Sequence, residues 1–103
     1  MEKKNIAGVE ITLTEDGYMA ESSKWNKDIA AALAKDDGID LGDQHYAVLD
    51  YLRKEHEAGA SLTIRKVGKS GIVDIKGLYK LFPGGPLKLS SKYAGIPKPT
   101  SCV

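Results

Sequence analysis

The sequence predicts a mainly α fold: a small orthogonal helical bundle with a helix-turn-helix-like unit, an N-terminal β-hairpin and a flexible C-terminal arm. Three observations predict it. Apolar residues recur at helical spacing from Trp25 to Phe82, a partly alternating apolar run opens the chain, and the final segment from Ala94 to Val103 is punctuated by Pro97 and Pro99. A chain of 103 residues has room for one hydrophobic core, and 42% hydrophobic with 28% charged residues is the composition of a folded domain. We read one domain over residues 1–103, divided into a hairpin (6–20), a helical body (23–93) and a mobile arm (94–103).

In the hairpin, Ile6, Val9, Ile11 and Leu13 are apolar, Glu15-Asp16-Gly17 signals a turn, and Tyr18-Met19-Ala20 returns as a short strand. A first helix starts at Ser22 or Ser23, carries Trp25, Ile29 and Leu33 at i, i+4 and i+8, and stops at Gly38. A second begins near Asp43 with His45, Val48, Leu49 and Leu52 on one face, and Gly59 lies beyond its end. Ser61 is expected to cap a short third helix containing Leu62, Ile64, Arg65 and Val67, closed by Gly68. Asp74 then caps a fourth, with Ile75, Leu78, Tyr79 and Phe82 on its buried side and Pro83 ending it. Short helix, glycine turn, helix is the helix-turn-helix-like layout. A further helix from Leu87 to Tyr93 leads into the arm.

The net charge of +1 conceals an asymmetry. Residues 1–60 hold seven Lys and Arg against thirteen acids, whereas residues 61–103 hold eight Lys and Arg against Asp74 alone. The C-terminal portion therefore suits an anionic ligand, an acidic partner protein or nucleic acid. No apolar run approaches a membrane span and no signal-peptide core follows Met1-Glu2-Lys3-Lys4-Asn5, so we expect a cytoplasmic protein without membrane partners.

Cys102, the penultimate residue, is the sole cysteine, so no intrachain disulfide is available and a reducing compartment suits it. Pro97 and Pro99 fix φ and Lys98 is pushed toward extended backbone by the proline after it, which favours a polyproline-like strut carrying the thiol outward. Sixteen residues from Pro86 to Cys102 reach at most about 50 Å when extended. The adjacent terminal carboxylate opposes thiolate formation, so an effective nucleophile needs compensating cations, for which Arg65, Lys69, Lys92 and Lys98 are the candidates. His45 and His56 stand eleven residues apart, about 16 Å along a helix, too far to share a metal. No close-spaced ligand pair anchors a zinc site, and Gly84-Gly85 lacks the context of a phosphate-binding loop. Neither metal nor cofactor is expected.

Several residues together carry a resemblance. Trp25, Gly38-Ile39, His45, Leu52-Arg53, Arg65 and Lys69 are joined by Leu78-Tyr79-x-Leu81-Phe82-Pro83-x-Gly85-Pro86 and by the tail Ala94-Gly95-Ile96-Pro97-Lys98-Pro99-Thr100-x-Cys102-Val103. This set resembles the DsrC/TusE family, which comprises the gamma subunit of dissimilatory sulfite reductase and the related sulfur-relay protein of transfer-RNA thiolation. The resemblance implies a sulfurtransferase-type carrier, not a stand-alone catalyst, whose Cys102 holds a persulfide and whose partners are sulfur-donor and sulfur-acceptor proteins. In the sulfite-reductase branch a second cysteine lies eleven positions before the terminal one; here that residue is Ser91. A hydroxyl cannot form the disulfide, which points to the single-cysteine relay branch. Ser101 stands where glycine is usual and Tyr46 where tryptophan is common. Two alternatives remain at this level: docking to a dissimilatory sulfite reductase complex, and nucleic-acid binding through residues 61–82 with Arg65, Lys66, Lys69, Lys76 and Lys80 on phosphates.

Overall fold

The computed structural model describes residues 1–99. Its hairpin is formed by β1 (Glu2–Ile6) and β2 (Val9–Leu13), antiparallel in a register that runs from Glu2 opposite Leu13 to Ile6 opposite Val9. Ala7 and Gly8 make the two-residue turn with φ of 52° and 82°, the left-handed pair that matches strand twist. The hairpin therefore starts earlier than residue 6. Its first strand escaped the hydrophobic pattern because, of its five residues, only Ile6 is buried. The anticipated return of Tyr18–Ala20 is reduced to a bridge between Leu13 and Met19, with the turn closed by Thr14 N–H to Tyr18 O at 2.7 Å and Gly17 N–H to Thr14 O at 2.9 Å.

A 3-10 turn at Ser22–Lys24 precedes α1 (Lys27–Asp36), whose cap is Asn26: its side chain accepts from Ile29 N–H at 2.9 Å. The helix thus begins later than Ser22 or Ser23, and Trp25 lies ahead of it in extended backbone. Helix α2 (Asp43–Glu57) buries Val48, Leu49 and Leu52. At its start His45 is a clamp. Nδ1 accepts from Gly42 N–H at 3.1 Å, Nε2 donates to Leu81 O at 3.0 Å, and the ring meets Phe82 edge-on with centroids 5.2 Å apart. Helix α3 (Ile64–Gly68) is capped by Thr63, not Ser61, through Oγ1 accepting from Lys66 N–H at 3.0 Å. Helix α4 (Ile75–Leu81) is capped by Asp74 as expected, with Gly77 N–H donating at 2.7 Å.

On α4, Leu78 and Phe82 are fully buried, but Ile75 and Tyr79 are 43% and 47% exposed, which corrects the expectation that all four share the core face. At 3.6 residues per turn the Ile75–Tyr79 stripe is rotated about 60° from the Leu78–Phe82 stripe. A seven-residue helix at the edge of the core covers only one of them.

Helix α5 (Pro86–Tyr93) starts with Pro86 at its first position and packs on α1, α2 and α4. Leu87 and Tyr93 are fully buried, and the burial continues past the helix through Ala94 and Ile96. The body accordingly extends to Ile96, beyond the expected boundary at Tyr93. Cys102 lies six positions beyond Ile96, a length of chain that spans at most about 20 Å, against about 50 Å counted from Pro86. Among the described residues, no helix is long and apolar enough to cross a membrane.

Candidate functional site at the root of the arm

The direction in which the chain leaves the core is set by the end of α5. Ile96 N–H donates to Ser91 O and Gly95 N–H to Lys92 O, both at 3.3 Å, the paired bonds of a Schellman motif, with Gly95 left-handed at φ 70°. The same turn lies under an indole. A Cβ on Gly95 would sit 2.5 Å from Trp25 Cδ1 and 2.9 Å from Trp25 Cβ and Cγ, so only glycine lets the backbone approach this closely. Trp25 Nε1 donates to Tyr93 O at 2.6 Å, fixing the ring over the turn.

Arg53 of α2 locks this arrangement from the other side. Its guanidinium lies 4.4 Å from the Trp25 ring centroid, donates through Nη1 to Ala94 O at 2.9 Å and Ser22 Oγ at 3.1 Å, and through Nη2 to Ser22 O at 3.2 Å. Burial lowers the guanidinium pKa from its ordinary value, while Glu57 and Asp50 oppose that shift. The group stays charged, and its fork joins the 3-10 turn to the end of α5.

Tyr93 is the buried pin of the helix end. Its hydroxyl donates to Asp37 Oδ2 at 2.7 Å, and Lys92 Nζ reaches the same oxygen at 3.3 Å. Burial foremost, then the hydrogen bond to Asp37 and the charges of Asp37 and Tyr18, hold the phenol pKa far above the ordinary tyrosine range. Tyr18, raised by burial and then by Asp16, donates to Lys88 O at 3.0 Å. A phenol whose folded pKa exceeds its unfolded value of about 10 contributes stability that is complete below that pH and is lost above it, where the unfolded chain ionises first. Urea midpoints measured from pH 9 to pH 11 should therefore show the advantage of wild type over Tyr93→Phe shrinking with pH. A constant gap would contradict the assignment.

A cavity of about 210 Å³ opens where the arm departs. Its walls come from His56 at the end of α2, Ala60 to Leu62 in the following loop, Ser91 on α5, and Ile96 to Pro99. Lys98 is the one predicted binding residue that lines it, and its ammonium pairs with Asp16 at 3.4 Å. That pair is exposed and worth at most about 1 kcal/mol. Lys92 is committed to Asp37, whereas Arg65 and Lys69 stand exposed on α3 and at its C-cap with no ion pair among the described residues. The structure does not gather the four cations around one point. Cys102 lies outside the described residues. No group of three potential metal ligands occurs among the described residues.

Sequence reasoning named Trp25 and Arg53 only as parts of a pattern and missed their joint role. Gly95 directly after a helix was the available signal, since glycine at that position marks a left-handed helix end. Nothing in the described residues favours residues 61–82 as a nucleic-acid reader. The two helices are five and seven residues long, and the outward face of the second presents Ile75 and Tyr79 among its lysines.

Comparison with known proteins converges on one relationship. A family model described as "DsrC like protein" matches residues 5–103. The chain is 38% identical over 107 residues to the sulfurtransferase TusE homolog of Haemophilus influenzae, covering 96% of this chain and 98% of that one. It is also 38% identical over 104 residues to sulfurtransferase TusE of Escherichia coli K12, covering 93% and 95%. Among solved structures, dissimilatory sulfite reductase I (DsrI) aligns with a TM-score of 0.87 at 31% identity, over 99% of this chain and 100% of that chain. The oxidized gamma subunit of the dissimilatory sulfite reductase (DsrC) from Archaeoglobus fulgidus aligns at 0.82 and 32%, with the same coverage. Similarity of this extent in both sequence and fold has one reading: the chain belongs to the DsrC-like family.

Proposed function

We propose that the chain is a sulfur-carrier protein of a sulfur relay, accepting sulfane sulfur at Cys102 and passing it on. What carries the reading is membership of a family with relatives named sulfurtransferases, in a chain whose single thiol lies six positions beyond Ile96, the last buried position among the described residues. In the loading step the Cys102 thiolate attacks the outer sulfur of a donor persulfide. The S–S bond of the donor breaks, a new S–S bond forms on Cys102, and the donor leaves as a thiol with one proton. The reverse exchange delivers the sulfur to an acceptor protein, with no net oxidation or reduction.

The arm is short, so donor and acceptor must come close to the body. We assign the exposed residues Arg65, Lys69, Ile75 and Tyr79 of α3, its C-cap and α4 to that contact, with acidic surfaces on the partners. Transfer-RNA thiolation is the pathway we favour, in the cytoplasm, where a lone thiol stays reduced; the RNA would be served through an acceptor protein, not bound directly. A second reading, docking to a dissimilatory sulfite reductase complex, draws on the structural likeness to its gamma subunit. With Ser91 in place of a second thiol, that reading keeps docking and loses disulfide turnover.

Mass spectrometry after exposure to a persulfide donor protein tests the carrier role. Wild type should gain the mass of sulfur at Cys102, and Cys102→Ser should gain none. An adduct persisting in Cys102→Ser would sink the proposal.

A further inference from the structure

Two buried serines follow one another on α5, and only one of them uses its hydroxyl within the fold. Ser90 Oγ donates to the carbonyls of Pro86 and Leu87 on its own helix, the ordinary resting place of a helical serine. Ser91 is 0% exposed, and its Oγ makes no hydrogen bond among the described residues. Alanine at position 91 would avoid the cost of burying an unpaired hydroxyl, so folding alone gives no reason for a serine there. The backbone of the same residue is engaged, since Ser91 O accepts from Ile96 N–H at 3.3 Å. Ser91 also forms part of the wall of the cavity of about 210 Å³ at the root of the arm.

That wall has a consistent chemistry. Ser61, Ser91, His56 and Lys98 bring hydrogen-bond donors, the remaining residues are apolar or proline, and no carboxylate is among them. Lys98 is paired at 3.4 Å with Asp16, which is not part of the wall, and an exposed pair of this kind holds its ammonium only weakly. A water molecule would satisfy the Ser91 hydroxyl but leave the positive wall without a counter-charge, whereas an anion supplies both. The number of charges narrows the kind of anion. One ammonium with neutral donors in an apolar surround does not replace the hydration shell of sulfate or phosphate, while a small, polarisable monovalent anion sheds its water at little cost. The volume suffices for such an anion together with several waters of about 30 Å³ each.

We infer that this cavity is a binding site for a small, weakly hydrated monovalent anion, with Ser91 Oγ and Lys98 Nζ as its principal donors and Ser61 and His56 in support. The wall draws on the end of α2, the loop after it, α5 and residues 96–99. A bound anion therefore ties the root of the arm to the body, and Lys98 turns from Asp16 to do so. The site does not depend on the carrier role, and its occupancy is measured without any transfer reaction.

The test is an NMR titration of the isotope-labelled wild-type chain with sodium thiocyanate, at constant ionic strength balanced by sodium fluoride. Amide signals of Ser61, Ser91, Ile96 and Lys98 should shift together and saturate, with half-saturation at about 5 to 50 mM, the strength of two or three net hydrogen bonds. Sodium sulfate in a parallel titration should produce no saturating shift at these residues. Ser91→Ala should weaken thiocyanate binding about three- to tenfold, the equivalent of one hydrogen bond, while its melting temperature without the anion equals or exceeds that of wild type. A purely structural serine would give the reverse, a lower melting temperature with unchanged affinity, and would overturn the site. Two substitutions at exposed positions decide the matter even if Ser91→Ala fails to fold. Lys98→Gln should weaken binding about two- to fivefold, and Asp16→Asn should strengthen it about twofold by freeing the ammonium. Shifts that stay linear in thiocyanate, affinities indifferent to both of these changes, or a preference for sulfate would each overturn the inference.

Discussion

Gly95→Ala is expected to destabilise the folded protein by about 3 kcal/mol or more, the largest effect of any single methyl group near the arm. Two costs add. The backbone at φ 70° is strained for any residue with a side chain, and the new methyl would overlap Trp25 at 2.5 Å. Relief requires either the indole to leave Tyr93 O or the Schellman turn to open, and both release Ala94 and Ile96 from the core. A shift of this size in a domain of about 100 residues lowers the melting temperature by roughly 15 °C or more. Trp25 is the sole tryptophan, so its fluorescence reports the site directly. Trp25→Ala, costly in wild type, should cost much less in a Gly95→Ala background, since the pair no longer clashes. Additive effects in that cycle would show that the steric overlap is not what limits the position.

Arg53→Ala is expected to cost about 2 kcal/mol, measured as a fall in urea midpoint at constant slope. The substitution removes three hydrogen bonds and the stacking on Trp25, and leaves Ala94 O without its donor. The figure is held down by the partial exposure of the side chain, which lets water replace some of the lost partners. Arg53→Lys should recover little, because an ammonium cannot present two nitrogens in a fixed fork or lie flat on the indole. Recovery of most of the stability by lysine would mean that charge alone, not the planar group, holds the turn.

The two substitutions also separate anchoring from chemistry. Both loosen the root of the arm while leaving Cys102 in place, so sulfur uptake from a small persulfide should survive at temperatures where the body stays folded. Transfer to and from proteins, which depends on where the arm leaves the surface, should fall.

Legibility varied with the kind of signal. Helix α2 was clear because fifteen residues gave the apolar period four turns to repeat, and α4 announced its start through Asp74. β1 was invisible because Glu2 to Asn5 are polar and exposed, so its pairing rests on backbone hydrogen bonds and a two-residue turn. Three candidate caps, Ser22, Ser23 and Ser61, lost to Asn26 and Thr63. Composition allows any of these residues to cap, and the choice falls to whichever lets the following apolar face meet the core. At the arm, Pro97 and Pro99 lie outside any helix or strand, as their missing N–H groups require, but nothing local indicated that Ala94 to Ile96 would be buried.

By itself the sequence determined the mainly helical class, the lone thiol near the C-terminus, the serine at position 91, and the tail motif that carries the family resemblance. These are matters of residue identity and short-range periodicity, both written along one dimension. Only the tertiary structure decided that Trp25, Arg53 and Gly95, far apart in the chain, form one lock, that Ser91 lines a cavity with its hydroxyl unpartnered, and that two of the four candidate cations are held by Asp37 and Asp16. Each of these depends on which helix faces lie against one another. Such long-range packing is set by the fit of the whole core, to which any single residue contributes only a small share of the free energy.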